Sequence, residues 1–551
     1  MSTMTIQYDS MWGHGQLLAF SGIDGSTDYD TGLCLRSCGP GTAFAVTLPG
    51  LGRLEVADAP PVACELASDH LELHLADGVV VRGAFLDAHH LLLEGPVTVT
   101  VEDQRLVVQQ RGARTLIASG QVEPHAGLLE ADLDAAIAAR RWWADAHIVA
   151  QDLAGRPAAV KALRQLKGQI YAPQGIFRQR WSTPDRWPHR GCWLWDSAFH
   201  AIGARHVDAA LARDCIAAVF DGQQADGMVP LRSNPSGPGK ARYTQPPTLA
   251  LATWAVSQVQ PDPAWLRSLL PRLEAYLTWD MQHRDGGHGL PCWAIEANPN
   301  CRSGESGLDN ASRFDAATRM EATDFASFLA LEWELLGLLY ERVGDLTAAA
   351  ACAARHASLC ALIRERLWDE ASGLFRDYDL EHGRVCPVAA ATGFLPLICG
   401  AATAAQAARL VAHLDDPTTF GTAVLLPSVA RNDPSYEIDM WRGPVWVNLV
   451  HLVAAGCARY GLDAPAQRLR TSIVCEIERR HAEYGTLFEY YDADGVIPPP
   501  ELRRKGRCAP EVSPFHQCFH DYGWTGTLYL DLVLARTSLL PRVDGVPEPG
   551  A

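Results

Sequence analysis

Four carboxylates sit in aromatic company along this 551-residue chain. Asp196 lies in Trp193-Leu-Trp-Asp-Ser-Ala-Phe, Asp309 in Glu305-Ser-Gly-Leu-Asp-Asn, Asp315 in Arg313-Phe-Asp, and Glu489 in Leu487-Phe-Glu-Tyr-Tyr. A carboxyl buried against aromatic walls has its charged form disfavoured, so its pKa rises toward the range in which it carries a proton at neutral pH. Two such carboxyls on facing loops are the equipment of glycoside hydrolysis. Taken singly, each acid has a plainer use: Asp196 as a helix N-cap, Asp309 as a turn former before Asn310, Glu489 as a solvated rim charge.

Eight of the 16 tryptophans fall in or beside the same stretches: Trp181, Trp187, Trp193, Trp195, Trp293, Trp441, Trp446 and Trp524. Aromatic rings pack on the apolar faces of sugars, and indole N–H groups donate to hydroxyls. A wide helical core would also bury tryptophan, so it is their grouping that favours a binding pocket. Other chemistries find less support. Gly39-Pro-Gly-Thr lacks the lysine of a phosphate loop. His288, His516 and His520 have no metal-ligand spacing, and Asp285-Gly-Gly offers too few oxygens to hold calcium by itself, so no cofactor is expected beyond that calcium hint. Fifteen cysteines without a CxxC pair read as reduced, mostly buried thiols.

The elements that must position these groups divide the chain in two. Up to about residue 130, alternating apolar runs such as 71–75, 79–82, 97–102 and 105–110 are broken by turn residues, the pattern of a β-sandwich. From Leu128 onward the period turns helical. Helices are predicted over 157–171, 195–204, 208–222, 247–258, 262–283, 320–342, 345–369, 387–398, 402–414, 444–459, 463–481 and 521–537. Every second connection between them is long. Helices running alternately up and down around a closed toroid would send all the long loops to one end, where binding groups concentrate. The spacing therefore predicts an (α/α)6 barrel over 131–540, after a β domain over 1–130 and before a tail over 541–551.

With 64 acids against 47 lysines and arginines the net charge is −17, which repels nucleic acid and anionic membranes. No charge-free apolar run reaches the length of a membrane span, and Met1 to Asp9 lacks the pattern of a secretory signal. A cytoplasmic protein with a small-molecule sugar as its partner is expected; nothing in the pattern sets an oligomeric state.

Six segments occur in an order that resembles glycoside hydrolase family 63. They are Trp193-Leu-Trp-Asp-Ser-Ala-Phe, Gln223-Gln-Ala-Asp-Gly-Met-Val-Pro, Glu305-Ser-Gly-Leu-Asp-Asn-Ala-Ser-Arg-Phe-Asp, Met440-Trp-Arg-Gly-Pro-Val-Trp-Val-Asn, Phe488-Glu-Tyr-Tyr and Tyr522-Gly-Trp-Thr. The resemblance spans roughly residues 170–535. It implies an inverting, exo-acting α-glycosidase on an (α/α)6 barrel, in a group that includes α-glucosidases and mannosylglycerate or glucosylglycerate hydrolases, with trehalases as relatives. Carried over by motif, Asp309 would be the general acid and Glu489 the general base. Trp195, Asp196, Gln245 and the Trp441-Arg442 pair would line the sugar pocket, and Trp193 and Trp524 join them from the tryptophan grouping. The family's acid motif usually continues Asn-Ser-Pro-Arg, where this chain has Asn310-Ala-Ser-Arg.

Trehalase is disfavoured, because the stretch before the Trp-Asp motif reads Arg186-Trp-Pro-His-Arg-Gly instead of Pro-Gly-Gly-Arg-Phe. Two other readings stay open at this stage. One is a sugar epimerase or isomerase using paired histidines, the other a sugar-binding protein without catalysis. Placement of Asp309 and Glu489 on different long loops predicts the wide carboxylate separation of inverting enzymes, roughly 6.5–9.5 Å, over the retaining 5–5.5 Å.

Overall fold

Eleven short strands come first in the computed structural model, which describes residues 15–38, 43–46, 51–56, 61–119, 126–239, 242–298, 300–315, 317–506 and 517–543. One antiparallel sheet takes β1 (Leu17–Ala19), β2 (Cys34–Cys38), β3 (Ala43–Val46), β4 (Gly52–Glu55) and, beside β4, β9 (Thr98–Val101). The other has the order β10 (Leu106–Arg111), β11 (Arg114–Ser119), β8 (His90–Glu94), β7 (Val80–Phe85), β6 (His70–His74), β5 (Ala63–Leu66). Leu18, Leu35, Phe44 and Leu54 of the first sheet share a buried cluster with Leu71, Val81, Leu91 and Ile117 of the second, so the two face one another across one apolar core. The 71–82 region is a hairpin in which Leu71 pairs with Gly83 and His74 with Val80. The 97–110 region is not: β9 pairs with β4 and β10 with β11, and the turn at Asp103 carries the chain between sheets.

A helix absent from the sequence-based series, α1 (Leu133–Ala150), lies on the outer face of the second sheet. Its Leu133 and Ile137 join Ala84, Leu92 and Leu116 in a second apolar cluster. The sheet is therefore buried on both faces, which accounts for the unbroken Leu91-Leu-Leu of β8.

The remaining helices come in pairs: α2 (Pro157–Gly168) with α3 (Leu194–Ala204), α4 (Ala209–Asp221) with α5 (Leu249–Val259), and α6 (Pro263–His283) with α7 (Thr323–Arg342). They continue with α8 (Leu346–Arg366), a 3₁₀ segment (Ala391–Leu397), α9 (Ala404–Asp415), α10 (Val447–Arg459), α11 (Asp463–Tyr484) and α12 (Gly523–Leu534). The helix predicted over 387–398 is thus a short 3₁₀ segment, because Gly393 and Pro396 fall within seven residues and proline removes an α-helical hydrogen bond. Packing closes a ring: α3 on α5, α5 on α7, α7 on the 3₁₀ segment, that segment on α10, α10 on α12, and α12 back on α3. The other members lie outside, with α4 on α3 and α5, α8 on α7, α11 on α10 and α12, and α2 on α12.

Ring position is legible in composition. Every residue of α3 is buried, as are ten of the twelve in α12, while the outer α8 buries a thin stripe and lays Arg355 over Trp333 at 4.2 Å. Outer helices α4, α6 and α8 start on aspartate caps, Asp208, Asp262 and Asp345, and α9 on a Thr403/Gln406 capping box. The ring helices start without a local side-chain cap, directly after the long loops. The first amides of α5 are instead taken by Glu332 of α7, at 2.6 and 2.7 Å. The tail expected over 541–551 lies outside the described residues from 544 on, as does His516.

Candidate active site

The starts of three ring neighbours supply one wall of a cavity of about 420 Å³: Trp446 at the N-cap of α10, Trp524 in the first turn of α12, and Trp195 with Asp196 in the first turn of α3. Trp441 stacks on Trp446 at 3.5 Å and 5°, and Trp524 stands edge-on to Trp195 at 5.0 Å and 86°. Five of the long loops complete it, with Trp193 ahead of α3, Gln245 ahead of α5, Asp309 ahead of α7, Trp441 ahead of α10 and Glu489 ahead of α12. Eight of the nine expected site residues thereby meet in one place.

Arg442 is the ninth, and it is not brought in. Between Met440 (φ 46°) and Gly443 (φ 152°) the chain turns so that Trp441 faces the cavity, while the Arg442 guanidinium pairs with Asp315 at 2.6 Å on the outer side. Asp315 holds that pair and is not on the wall of this cavity. Three of the eight tryptophans also serve elsewhere. Trp181 stacks on Tyr171 at 4.3 Å, Trp293 stacks on Phe325 at 3.7 Å and donates to Asp324, and Trp187 lies outside the cavity wall. Among the described residues His189 is the one histidine on the cavity; His288 pairs with Glu321 at 3.0 Å, and His520 packs on Phe488. Asp285 Oδ1 accepts the amides of Gly287 and Gly289, so this carboxylate shapes its own loop. Asp196 is not an N-cap either, since Trp193 holds that position.

The acid motif is held from three sides. Glu305, fully buried, accepts the Thr244 and Ala294 amides at 3.0 and 2.9 Å and pairs with Arg284 at 2.6 Å, which ties the Asp309 loop to the loop of Gln245. Gln245 Oε1 in turn accepts the Trp195 amide at 3.4 Å. Asn310 Oδ1 accepts the Trp441 amide at 3.0 Å and its Nδ2 donates to Asp439 at 3.1 Å. Glu305 and Asn310 thus both hold the loop, and the Ala-Ser departure that follows leaves these contacts intact. Gly307 (φ +71°) lies against the Trp195 ring so closely that a Cβ would come within 2.2 Å of it. Gly307→Ala should therefore displace either Trp195 or Asp309 and lower kcat about 10²-fold or more, since a misplacement near 1 Å is enough for such a loss. Steady-state kinetics together with tryptophan fluorescence checks it: unchanged kinetics would show that the contact is slack.

Charges at the site contradict one expectation. Burial does raise Asp196 well above the usual carboxylate range, with Glu489 repelling it and the Tyr522 hydroxyl bonding to it in opposition. Burial also raises Glu489, against the pull of Arg504 and His189. Asp309 goes the other way: burial would lift it, but the Lys505 ammonium, 2.8 Å from Oδ2, outweighs that and holds the carboxyl below its ordinary value. Arg504 is similarly placed on Glu489, Nε to Oε2 at 3.2 Å, and is buried. Neither cation was singled out in the sequence. The visible signal was the run Arg503-Arg-Lys in a long acid-bearing loop of a strongly acidic chain.

The β part braces two of these loops. Arg186 donates to the carbonyls of Phe20 and Ile170, Arg190 to that of Tyr29, and Arg36 to that of Trp187, which fixes the stretch leading to His189. Asp521, next to Tyr522, accepts the Leu17 amide at 2.8 Å and pairs with Lys161 at 3.0 Å.

Residues 189–495, more than half of the chain, match the family model described as the mannosylglycerate hydrolase MGH1-like glycoside hydrolase domain. A mannosylglycerate hydrolase of Thermus thermophilus is 29% identical over 378 residues, covering 54% of this chain and 88% of that protein. The crystal structure of a family 63 mannosylglycerate hydrolase from another strain of Thermus thermophilus, in complex with glucose, aligns with a TM-score of 0.54 at 25% identity over 68% of this chain and 99% of that one. The same enzyme in complex with Tris and D-glycerate gives the same figures. A bacterial glucoamylase structure aligns over 97% of both chains with a TM-score of 0.61 at 10% identity, a likeness of fold alone that takes in the β part. With eight site residues in one cavity and the family model across seven of them, all but Trp524, the chain belongs to the mannosylglycerate hydrolase MGH1-like family and is a glycoside hydrolase of the family 63 type.

Proposed function

We propose that this enzyme is an inverting, exo-acting α-glycosidase on an (α/α)6 barrel, and that its substrate is a small α-mannoside or α-glucoside of a hydroxy acid, such as mannosylglycerate or glucosylglycerate. The observation that carries it is the placement of Asp309 and Glu489 on separate loops around one indole-walled cavity. A cavity of about 420 Å³ is a small-ligand site. Trp441, Trp524 and Asp196 line it, and indole rings beside a carboxyl suit a ligand rich in hydroxyls. In this reading Asp309 protonates the glycosidic oxygen as the bond to the anomeric carbon breaks. Glu489 takes a proton from the water that attacks the opposite face. Two carboxylates and water suffice.

Incubation with mannosylglycerate, glucosylglycerate, trehalose and neutral α-mannosides and α-glucosides, followed by assay of released sugar, tests the substrate class. Release from a glycosylglycerate well ahead of trehalose supports it. Conversion of a free sugar to its epimer with no glycosidic cleavage would overturn it.

A further inference from the structure

Lys505 and Asp309 form an ion pair that the fold goes to some length to build. Each side chain is about one-fifth exposed, and Nζ stands 2.8 Å from Oδ2. Behind the pair, Asp439 accepts from Asn310 Nδ2 at 3.1 Å with one oxygen and from the Gly506 amide at 2.6 Å with the other. The residue following each partner is therefore fastened to the same carboxylate. Lys505 itself is left-handed at φ 57°, a conformation a lysine keeps only when its surroundings hold it there. Its neighbour Arg504 is clamped on Glu489 with a side chain only 4% exposed. A guanidinium fork on a buried carboxylate stays; an ammonium on a flexible stem at the cavity edge exchanges partners.

A carboxyl with an ammonium 2.8 Å away stays ionised, and an ionised carboxyl has no proton to give. If Asp309 is the proton donor, as proposed above, something in the substrate must draw Lys505 off. Asp309 addresses the glycosidic oxygen, so Lys505 beside it stands on the leaving-group side. We propose that Lys505 determines specificity for an acidic leaving group: it rests on Asp309 in the empty site and transfers to the substrate's carboxylate, freeing Asp309 to carry a proton. On binding, Asp309 exchanges an ammonium neighbour for the substrate's negative charge and takes up a proton from solvent. That proton passes to the glycosidic oxygen as the C–O bond breaks, water adds to the anomeric carbon, and its proton goes to Glu489 and then to solvent. Lys505 returns to Asp309 when the hydroxy acid departs. Besides Lys505, the titratable and charged side chains around Asp309 are Arg504, His189, Arg232, Glu489 and Asp196, with Asp439 behind Asn310.

The inference rests on Asp309 as donor, and two kinds of measurement separate the two ideas. In the unmodified enzyme, the alkaline limb of kcat, which reports the donor in the complex, should lie about one pH unit or more higher for the glycosylglycerate than for the glycerol glycoside of the same sugar. Coincident limbs would overturn the role of Lys505. In Lys505→Gln the KM for the glycosylglycerate should rise about tenfold or more, while the glycerol glycoside keeps its KM and its alkaline limb moves up by about one unit or more. Lys505→Arg should keep the preference for the acidic substrate. Equal losses on both substrates with an unmoved limb would reduce Lys505 to a scaffold residue. Undiminished hydrolysis by Asp309→Asn would instead overturn the donor assignment.

Discussion

Glu489→Gln should lower kcat by about 10³–10⁴-fold on every substrate, whatever its leaving group, because the attacking water needs its base in the same single displacement whichever group departs. The amide keeps the shape of the carboxyl in a site where Glu489 is almost fully buried and accepts from Arg504, so the fold should survive. Added azide should not restore turnover with retained anomeric configuration, since Glu489 is here a base and not a nucleophile. Kinetics on a glycosylglycerate and on a glycosyl fluoride, with thermal unfolding alongside, check this. A variant that recovers on the fluoride would show that Glu489 serves the leaving group, which would exchange the roles of the two carboxylates.

Asp309→Asn should show the complementary pattern. With an alcohol leaving group kcat should fall by about 10²–10⁴-fold, the usual contribution of a positioned acid. With fluoride, which leaves without a proton, the loss should be far smaller. The contrast matters because the empty site holds Asp309 below and Glu489 above the ordinary carboxylate range. Ionisation in the resting state alone would name Glu489 as the acid. A leaving-group dependence confined to Asp309 variants would establish Asp309 as the proton donor despite its ionised resting state; the same dependence confined to Glu489 variants would contradict it.

Much of this site was legible because its residues are local. Trp195 and Asp196 share one helical turn, and each of Gln245, Asp309, Trp441 and Glu489 lies on a long loop that precedes a ring helix. Alternation of long and short connections was enough to send them to one end. What escaped depends on contacts distant in sequence. Arg442 was placed with Trp441 by adjacency, but a turn between two positive-φ residues separates them and Asp315 takes the guanidinium. Lys505 and Arg504 belong to the site through carboxylates on other strands of chain, and a basic run in a loop reads equally well as a solvated surface. Helix α1 carries Leu133, Ile137, Ala144 and Ile148 at helical spacing, but the surface that buries the first two, the outer side of the second sheet, is distant in sequence. The 3₁₀ segment kept the apolar pattern of a helix while Gly393 and Pro396 denied it the hydrogen bonds.

Stereochemistry tests the central assignment most directly. NMR of the sugar released in the first moments of hydrolysis of an α-linked glycosylglycerate, before mutarotation, reports which face of the anomeric carbon the water attacked. Inversion by Asp309 and Glu489 predicts that the β-anomer appears first and the α-anomer grows in only as the solution equilibrates. An α-anomer formed first would contradict it and make Glu489 a nucleophile.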